Sequence, residues 1–309
     1  MDDDLGKKRR RRLRRTAVTA LTGLAAAGVV TFAVESSSHI NAEPVSKVSD
    51  KPSAASSSAS ASTSTSGESA DAALSRALGA VAAEGSYQVA ALDLDSGASV
   101  SYASGSSADT YDTASIVKVD ILATLLLQAQ DSGTTLTAEQ QTLATSMIEN
   151  SDNNATNTLW NEIGGASGLD AANQTFGLTE TVAGTDGDWG LTQSTADDQV
   201  KLLQVVHGDD SPLTADSQTY IQQLMANVEA DQQWGVSAAA DSGTSMQLKN
   251  GWLQRSATEL WDINSVGEVT VDGDSVLIAV TSSGSSTESA GIGLVETVAE
   301  AAGDAVASV

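Results

Sequence analysis

The chain has 309 residues and no cysteine, and its 15 Lys and Arg are outnumbered by 40 Asp and Glu. Most basic residues lie near the start, so that from residue 72 onward five Lys and Arg face 32 Asp and Glu. So acidic a surface repels nucleic acid and anionic lipid headgroups, and the absence of cysteine excludes thiol nucleophiles, thiolate metal sites and disulfides.

The two histidines do not indicate a catalytic or metal-binding site. His39 lies in a stretch of low complexity, and we interpret His207 as a solvated residue at the end of a helix, next to Gly208. A His-based metal site is therefore not expected, and no metal or other cofactor is predicted. Any catalysis has to depend on serine, lysine and carboxylate side chains.

The first 70 residues divide into three segments by composition. Residues 1–15 are basic, residues 16–34 are uncharged and mostly Ala, Val, Leu and Thr, and residues 35–70 are rich in Ser, Ala and Thr. A basic segment before an apolar one stays in the cytoplasm, so the rest of the chain is expected outside, either secreted or at the extracellular face of the membrane. The length of 16–34 fits both a signal peptide and a membrane tether. Segment 35–70 is predicted to be a flexible spacer.

The predicted elements of the folded part, 71–309, begin with a helix over 71–83. Two strands follow, joined by a hairpin turn at Asp95-Ser96-Gly97. A mostly apolar stretch, 111–130, then predicts a core helix capped by Asp112 or Thr113. The predicted strands are 87–94, 98–102, 246–253, 259–266 and 275–281, and the other predicted helices are 137–149 with a Thr137 and Gln140 capping box, 154–163, 195–206, 214–228 and 287–306.

This order of elements favours the α+β class. Hairpin connections near both ends of the domain imply one five-stranded antiparallel sheet, completed when the two ends meet. Helices 71–83 and 287–306 would cover one face and the 111–130 helix the other, with an all-helical lobe beside it. A cleft between sheet and lobe is where we expect a site.

Ser115 and Lys118 lie three residues apart in the 111–130 helix, and therefore on one helical face. Near a helix start the backbone amides lack intrahelical acceptors, so the Ser115 amide could stabilise an oxyanion formed by attack of its own hydroxyl. Lys118 could take the serine proton if its surroundings keep it partly neutral. The alternative is an ordinary helix-start serine beside a lysine that reaches solvent.

Two further motifs follow along the chain. A Ser-Asp-Asn sequence occupies 151–153 between two predicted helices, where the alternative is a polar turn that caps the next helix. A Lys-Asn-Gly sequence occupies 249–251 within an apolar strand. A glycine there indicates close approach of a ligand or of another backbone, and the alternative is a tight turn with an exposed lysine.

Together, Ser-x-x-Lys, Ser-Asp-Asn and Lys-Asn-Gly in this order resemble the Ser-x-x-Lys, Ser-Asp-Asn and Lys-Thr-Gly motifs of the class A β-lactamases and penicillin-binding proteins. The resemblance covers the whole domain from about residue 72. It implies a β-lactamase-like serine hydrolase that forms an acyl-enzyme with a small-molecule β-lactam or a D-alanyl peptide. We expect it to be a monomer.

The resemblance also implies a role for each motif residue. Ser115 would be the acylated nucleophile and Lys118 the general base. Ser151 would pass a proton to the leaving nitrogen, while Asn153 would hold Lys118 and the side-chain amide of the substrate.

The third motif would complete the site. Lys249 would attract the substrate carboxylate and tune Ser151, with Asn250 and Gly251 also at the substrate. The backbone amides of Ser115 and Trp252 would form the oxyanion hole.

The sequence departs from the family in two places. Asn250 stands where the family has Thr or Ser, which keeps a hydrogen-bond donor for a carboxylate but loses the hydroxyl. The omega loop of class A β-lactamases carries a Glu that activates the deacylating water, and the stretch 178–192 lacks that motif. Asp188 is the first choice for a replacement, followed by Glu180 and Asp186, although each also fits an ordinary loop carboxylate.

Three functions therefore remain open. The first is β-lactam hydrolysis through an acyl-enzyme. The second is a D-alanyl-D-alanine peptidase-like or penicillin-binding protein with slow deacylation, favoured by the missing glutamate. The third is a non-catalytic envelope-binding module that keeps the fold without the chemistry.

Overall fold

The computed structural model describes residues 69–106 and 109–308. The basic segment 1–15, the apolar run 16–34 and nearly all of the spacer 35–70 lie outside them. Within the described residues, no helix is both long enough and apolar enough to cross a membrane.

The elements follow the predicted order. The helices are α1 (Ala70–Leu78), α2 (Val117–Asp131), α3 (Ala138–Glu149), α4 (Asn153–Glu162), α5 (Gly165–Phe176), α6 (Ala196–His207), α7 (Ala215–Met225) and α8 (Glu288–Ala307). The strands are β1 (Ser86–Asp93), β2 (Ser99–Ala103), β3 (Tyr111–Asp112), β4 (Gln193–Ser194), β5 (Met246–Gln254), β6 (Trp261–Val271) and β7 (Asp274–Ser283). Short 3-10 helices lie at Ala114–Ile116, Trp189–Leu191, Ala230–Gln232 and Gly235–Ala239.

Five strands form one antiparallel sheet in the order β2-β1-β7-β6-β5. Strand β1 pairs with β7, for example Val89 with Val280, so the two ends of the domain meet inside the sheet. The turn between β6 and β7 has positive φ at both Asp272 and Gly273, 51° and 96°, which matches the twist of a two-residue hairpin. The predicted α+β class and antiparallel sheet are confirmed.

The two faces of the sheet support separate apolar cores, because neighbouring strand residues point to opposite sides. Val89 packs with Leu74 of α1 and Val298 of α8. Its neighbour Ala90 belongs to the other core, with Ile121 of α2 and the helical lobe. The predicted layering is confirmed.

Helix α2 is the central core helix, and every residue from Val117 to Leu127 is buried. It starts later than the prediction of 111–130. Tyr111 and Asp112 form β3, which pairs with β4, and a 3-10 turn then leads into the helix. Pairing with a strand about 80 residues away overrides the local helical pattern.

The two caps predicted for the 111–130 helix, Asp112 and Thr113, are wrong. The Asp112 carboxylate accepts hydrogen bonds from Arg255 and Gln193. Thr113 makes no side-chain capping bond, and its backbone amide donates to the carbonyl of Thr192 at 2.8 Å. Distant partners thus occupy the Asp112 carboxylate, whereas the Thr113 hydroxyl is buried without a hydrogen-bond partner among the described residues.

The capping of the next helix was predicted correctly from the local sequence. The capping box of Thr137 and Gln140 is confirmed, with its two hydrogen bonds at 2.9 and 3.2 Å. Helix α5 was not predicted, since interior glycines lower helix propensity. A Cβ at Gly168 would lie 1.7 Å from the carbonyl oxygen of Ile163, so this glycine allows close packing of backbone.

His207 ends α6 before Gly208, as predicted, but it is half-buried rather than fully exposed to solvent. Burial lowers the pKa of His207 to about 4. Its Nε2 is buried and has no hydrogen-bond partner among the described residues.

Candidate active site

Ser115 lies in the 3-10 turn directly before α2 and is half-buried. The preceding residue, Ala114, has a φ of 47°, which a residue with a Cβ rarely adopts. Such a conformation persists only where its surroundings hold it, and it occurs preferentially at active sites. Ser115 is therefore presented by a strained turn at the amino end of a buried helix.

Lys118, one turn later, is fully buried, so the alternative of a lysine that reaches solvent is excluded. Its Nζ donates to the carbonyl of Ser151 at 2.7 Å, to the Ser151 hydroxyl at 3.0 Å and to Oδ1 of Asn153 at 2.8 Å. Burial lowers the pKa of Lys118 to about 7, against an opposing effect from the charge of Asp152. A substantial neutral fraction near pH 7 is the state that a general base requires.

No hydrogen bond joins Lys118 to Ser115 within the described part of the chain. The three donors of Lys118 are directed at the 151–153 motif instead. Catalytic hydrogen bonds are often long before a substrate is bound, so this geometry is compatible with proton transfer from Ser115.

The 151–153 motif serves two purposes. Ser151 has a φ of 55° and offers both its carbonyl and its hydroxyl to Lys118. The Asp152 carboxylate caps α4 by accepting from the amides of Asn154 and Ala155 at 2.6 and 2.9 Å. The capping interpretation therefore holds for Asp152, while its two neighbours hold the lysine.

Lys249 is fully buried in β5, which excludes the alternative of an exposed lysine in a tight turn. Its Nζ donates to the carbonyl of Asn250 at 3.0 Å and contacts Oε1 of Gln232 at 3.5 Å. Burial, and to a smaller extent the charge of Lys118, holds the pKa of Lys249 well below its usual value. An anion bound beside Lys249 would stabilise its protonated form.

Gly251 is required by the packing of β5 against the 3-10 turn that carries Ser115. A Cβ at this position would lie 2.7 Å from the Ser115 amide nitrogen, 2.7 Å from the Thr113 carbonyl oxygen and 2.8 Å from the Ile116 amide nitrogen. The close approach of another backbone, predicted from a glycine inside a strand, is confirmed.

The side chain of Asn250 lies on a different face of β5 from that of Lys249. Its Nδ2 donates to the carbonyls of Gln232 and Trp234 at 2.7 and 2.9 Å, and its Oδ1 is buried without a partner among the described residues. Consecutive strand residues face opposite sides, so Asn250 lies on the face opposite Lys249. The expectation that its amide is available to a substrate carboxylate needs correction, because both donors are already used.

A cleft of about 290 Å³ borders Ser115. Asn153 lines it together with Trp189, Trp252 and Leu253. The cleft thus brings together Ser115, Asn153 and Trp252 from distant parts of the chain, whereas Lys249, Asn250 and Gly251 are not among the residues that line it.

The candidate carboxylates for deacylation differ in position. Asp188 lines the cleft with Ser115, and its side chain is exposed. Glu180 and Asp186 are exposed and are not among the residues that line the cleft. The Glu180 amide is fixed through a 2.7 Å hydrogen bond to Asp198.

Trp189 also lies at this site, although the sequence did not indicate it as a site residue. Its indole ring covers Lys118, with 4.9 Å between Nζ and the ring centre, and its Nε1 donates to Oδ1 of Asn157 at 2.8 Å. A lone tryptophan in a loop of small and acidic residues was the available signal. Within the described residues, no group of three His, Cys, Asp or Glu could hold a metal ion.

Known structures share the fold. A class A β-lactamase from Bacteroides cellulosilyticus DSM 14838 superimposes with a TM-score of 0.66 at 15% identity, covering 78% of this chain and 100% of that one. The TLA-1 extended-spectrum β-lactamase gives 0.66 at 15% identity, with 76% and 97% covered. PBP-A gives 0.63 at 19% identity, with 77% and 96% covered.

A curated relative is the putative lipoprotein LppW of Mycobacterium tuberculosis, 30% identical over 94 residues. The aligned part spans 30% of this chain and 30% of that relative. The sequence model of the Beta-lactamase enzyme family matches residues 127–306, which include the 151–153 and 249–251 motifs and begin after Lys118. The chain belongs to the Beta-lactamase enzyme family.

Proposed function

We propose that the protein is an active-site-serine hydrolase that forms an acyl-enzyme at Ser115 with β-lactams or D-alanyl peptides. The observation that carries this proposal is the state of Lys118. It is fully buried, has a pKa lowered to about 7 and lies one turn from Ser115. Burying a lysine with no task is costly, which argues against the non-catalytic module.

In the acylation step, neutral Lys118 takes the proton of the Ser115 hydroxyl as the serine oxygen attacks the substrate carbonyl. The oxyanion that forms is stabilised by the backbone amides of Ser115 and Trp252. The proton then passes through Ser151 to the leaving nitrogen as the carbon–nitrogen bond breaks. The 3.0 Å hydrogen bond between Lys118 and the Ser151 hydroxyl supplies that path.

Substrate binding falls to the residues beside this pair. Lys249 attracts the substrate carboxylate, which restores its own positive charge, and Asn153 at the cleft meets the substrate's side-chain amide. Gly251 contributes through its lack of a side chain. Asn250 contributes indirectly, by fixing the segment around Gln232.

For deacylation we assign Asp188 as the carboxylate that activates water. It is exposed, and no hydrogen bond fixes its side chain within the described residues. A base so loosely held predicts slow hydrolysis of the acyl-enzyme, because efficient catalysis requires a fixed geometry. This observation favours the second candidate, a penicillin-binding or peptidase-like protein, over an efficient β-lactamase.

We also place the protein outside the cytoplasm, tethered through residues 16–34 or released. The relative whose name describes a putative lipoprotein supports an envelope location. A lipid anchor of the usual kind needs a cysteine, which this chain lacks, so the tether would be the apolar segment itself.

Intact-mass measurement with a penicillin tests the proposal. A stable increase by the mass of the drug indicates acylation with slow deacylation, whereas hydrolysed drug without an adduct indicates a working β-lactamase. Neither adduct nor hydrolysis, with D-alanyl peptides also uncleaved, would contradict the enzymatic proposal.

A further inference from the structure

Asn264 is a fully buried polar residue in β6 that reaches the turn carrying Ser115. Its Nδ2 donates to the carbonyl of Asp112 at 2.9 Å and to the carbonyl of Thr113 at 3.0 Å. Its Oδ1 accepts from the amide of Ser282 at 2.9 Å. Both donors and the acceptor are therefore used, and only one orientation of the side-chain amide satisfies all three contacts.

Gly251 lies directly opposite Asn264 in the pairing of β5 with β6. It touches the same turn, since a Cβ there would come within 2.7 Å of the Ser115 nitrogen and the Thr113 oxygen. One member of this cross-strand pair holds the turn with hydrogen bonds. The other allows it to approach the sheet.

The turn needs such support because of Ala114. A positive φ of 47° is unfavourable for a residue with a Cβ and is retained only where neighbouring contacts impose it. Asn264 fixes the two peptide groups that precede Ala114. With those groups held, the dihedral angles of Ala114 set the direction in which the Ser115 amide points.

We infer that Asn264 is a positioning residue for acylation, which holds the turn so that the amide and hydroxyl of Ser115 face the cleft. The inference rests on the proposed function, because it assumes that Ser115 is acylated. Asn264 lies on the sheet and touches neither substrate nor Lys118. It acts through the backbone carbonyls of Asp112 and Thr113.

The experiment compares acylation of the wild-type protein by a chromogenic cephalosporin with that of Asn264→Asp, which keeps the size and the acceptor but retains at most one donor, the O–H of the acid form that burial favours. We expect the acylation rate constant per folded molecule to fall by about 30-fold or more, as one lost oxyanion donor costs about 100- to 1,000-fold. The pH midpoint set by Lys118 should stay unchanged, because its contacts are with residues 151 and 153.

Ser265→Ala is the matched control. Ser265 is the next residue of β6, is equally buried and accepts from the Val236 amide at 2.9 Å, on the other side of the strand. Its loss should lower the melting temperature and leave acylation of the folded fraction unchanged. If Asn264→Asp does not fold, Asn264→Ser, whose shorter side chain also keeps at most one donor, is measured and should likewise be acylated more slowly per folded molecule than Ser265→Ala.

The outcomes are distinguishable. A wild-type protein that is never acylated rejects the proposed function. A wild-type protein that is acylated, with folded Asn264→Asp or Asn264→Ser reacting at the wild-type rate, overturns the role of Asn264 alone. A loss equal to that of Ser265→Ala would show that Asn264 is merely structural.

Discussion

The Nζ of Lys118 lies 4.9 Å from the centre of the Trp189 ring, beneath a loop that joins the helical lobe to β4. The 151–153 motif contacts one side of the Lys118 ammonium, and the indole excludes water from another side. Desolvation is the largest cause of the lowered pKa of Lys118, so a ring that covers the ammonium helps to lower that pKa.

The acylation rate should rise with pH through about 7. Lys118 is inactive as a base when protonated, and burial lowers its pKa to about 7, so the reactive neutral form increases as pH passes that value. We predict a tenfold loss of the second-order acylation rate constant, which reports the pKa of the free protein, for each pH unit below about 6. Stopped-flow measurement with a penicillin between pH 5 and 8 checks this, and a flat profile would argue against Lys118 as the base.

Replacing Trp189 should move that midpoint. Trp189→Ala admits water to Lys118 and should raise its pKa, shifting the midpoint upward by about one unit and slowing acylation at pH 7 by about fivefold, because the neutral fraction falls from about one half to about one eleventh. Trp189→Phe keeps a ring over the ammonium and should shift the midpoint less. Equal profiles for wild type and Trp189→Ala would show that the indole does not set the pKa of Lys118.

Asp188 and Glu180 offer a matched pair for the deacylation step. Asp188→Asn should leave the acylation rate within a factor of about three and lengthen the acyl-enzyme lifetime by about tenfold or more, as loss of a general base does. Glu180→Gln, a loop carboxylate away from the cleft, should change neither. The decay of the adduct, followed by intact mass, measures both variants; unchanged decay in Asp188→Asn removes it from the proposal.

Restoring the family's threonine should not improve the enzyme. In Asn250→Thr, the carbonyls of Gln232 and Trp234 lose their hydrogen-bond donors, and buried groups left unpaired cost about 1–3 kcal/mol each. We expect a melting temperature several degrees lower and acylation within a few-fold of wild type. Thermal unfolding together with the acylation assay tests this, and faster acylation at unchanged stability would show that Asn250 is a simple substitute for threonine.

Much of the site could be predicted from the sequence because each motif is local. A serine and a lysine three residues apart lie on the same side of an α-helix and also of a 3-10 turn, such as the one that holds Ser115. A glycine inside a strand, here Gly251, indicates close approach of another backbone. The sheet followed from hairpin signals at the two ends of the domain. The hairpin turns and the spacings within each motif depend on residues that are neighbours in the sequence, so they can be predicted from it.

The rest depends on contacts between distant segments. The late start of α2 follows from pairing of Tyr111 with Ser194, and no local pattern indicates that pairing. Trp189, Asn250 and Asn264 acquire their contacts only once the loop, strand and turn are assembled. The spacing of residues along the chain carries no information about such contacts. The orientations of these three side chains are therefore known only from the structure.

The central claim is that Ser115 becomes acylated. Protease digestion and mass mapping of the penicillin-treated protein, beside Ser115→Ala treated in the same way, test it most directly. We predict the drug's mass on the peptide containing Ser115 and none on the variant. An adduct on another serine, or an equal adduct in Ser115→Ala, would contradict the account.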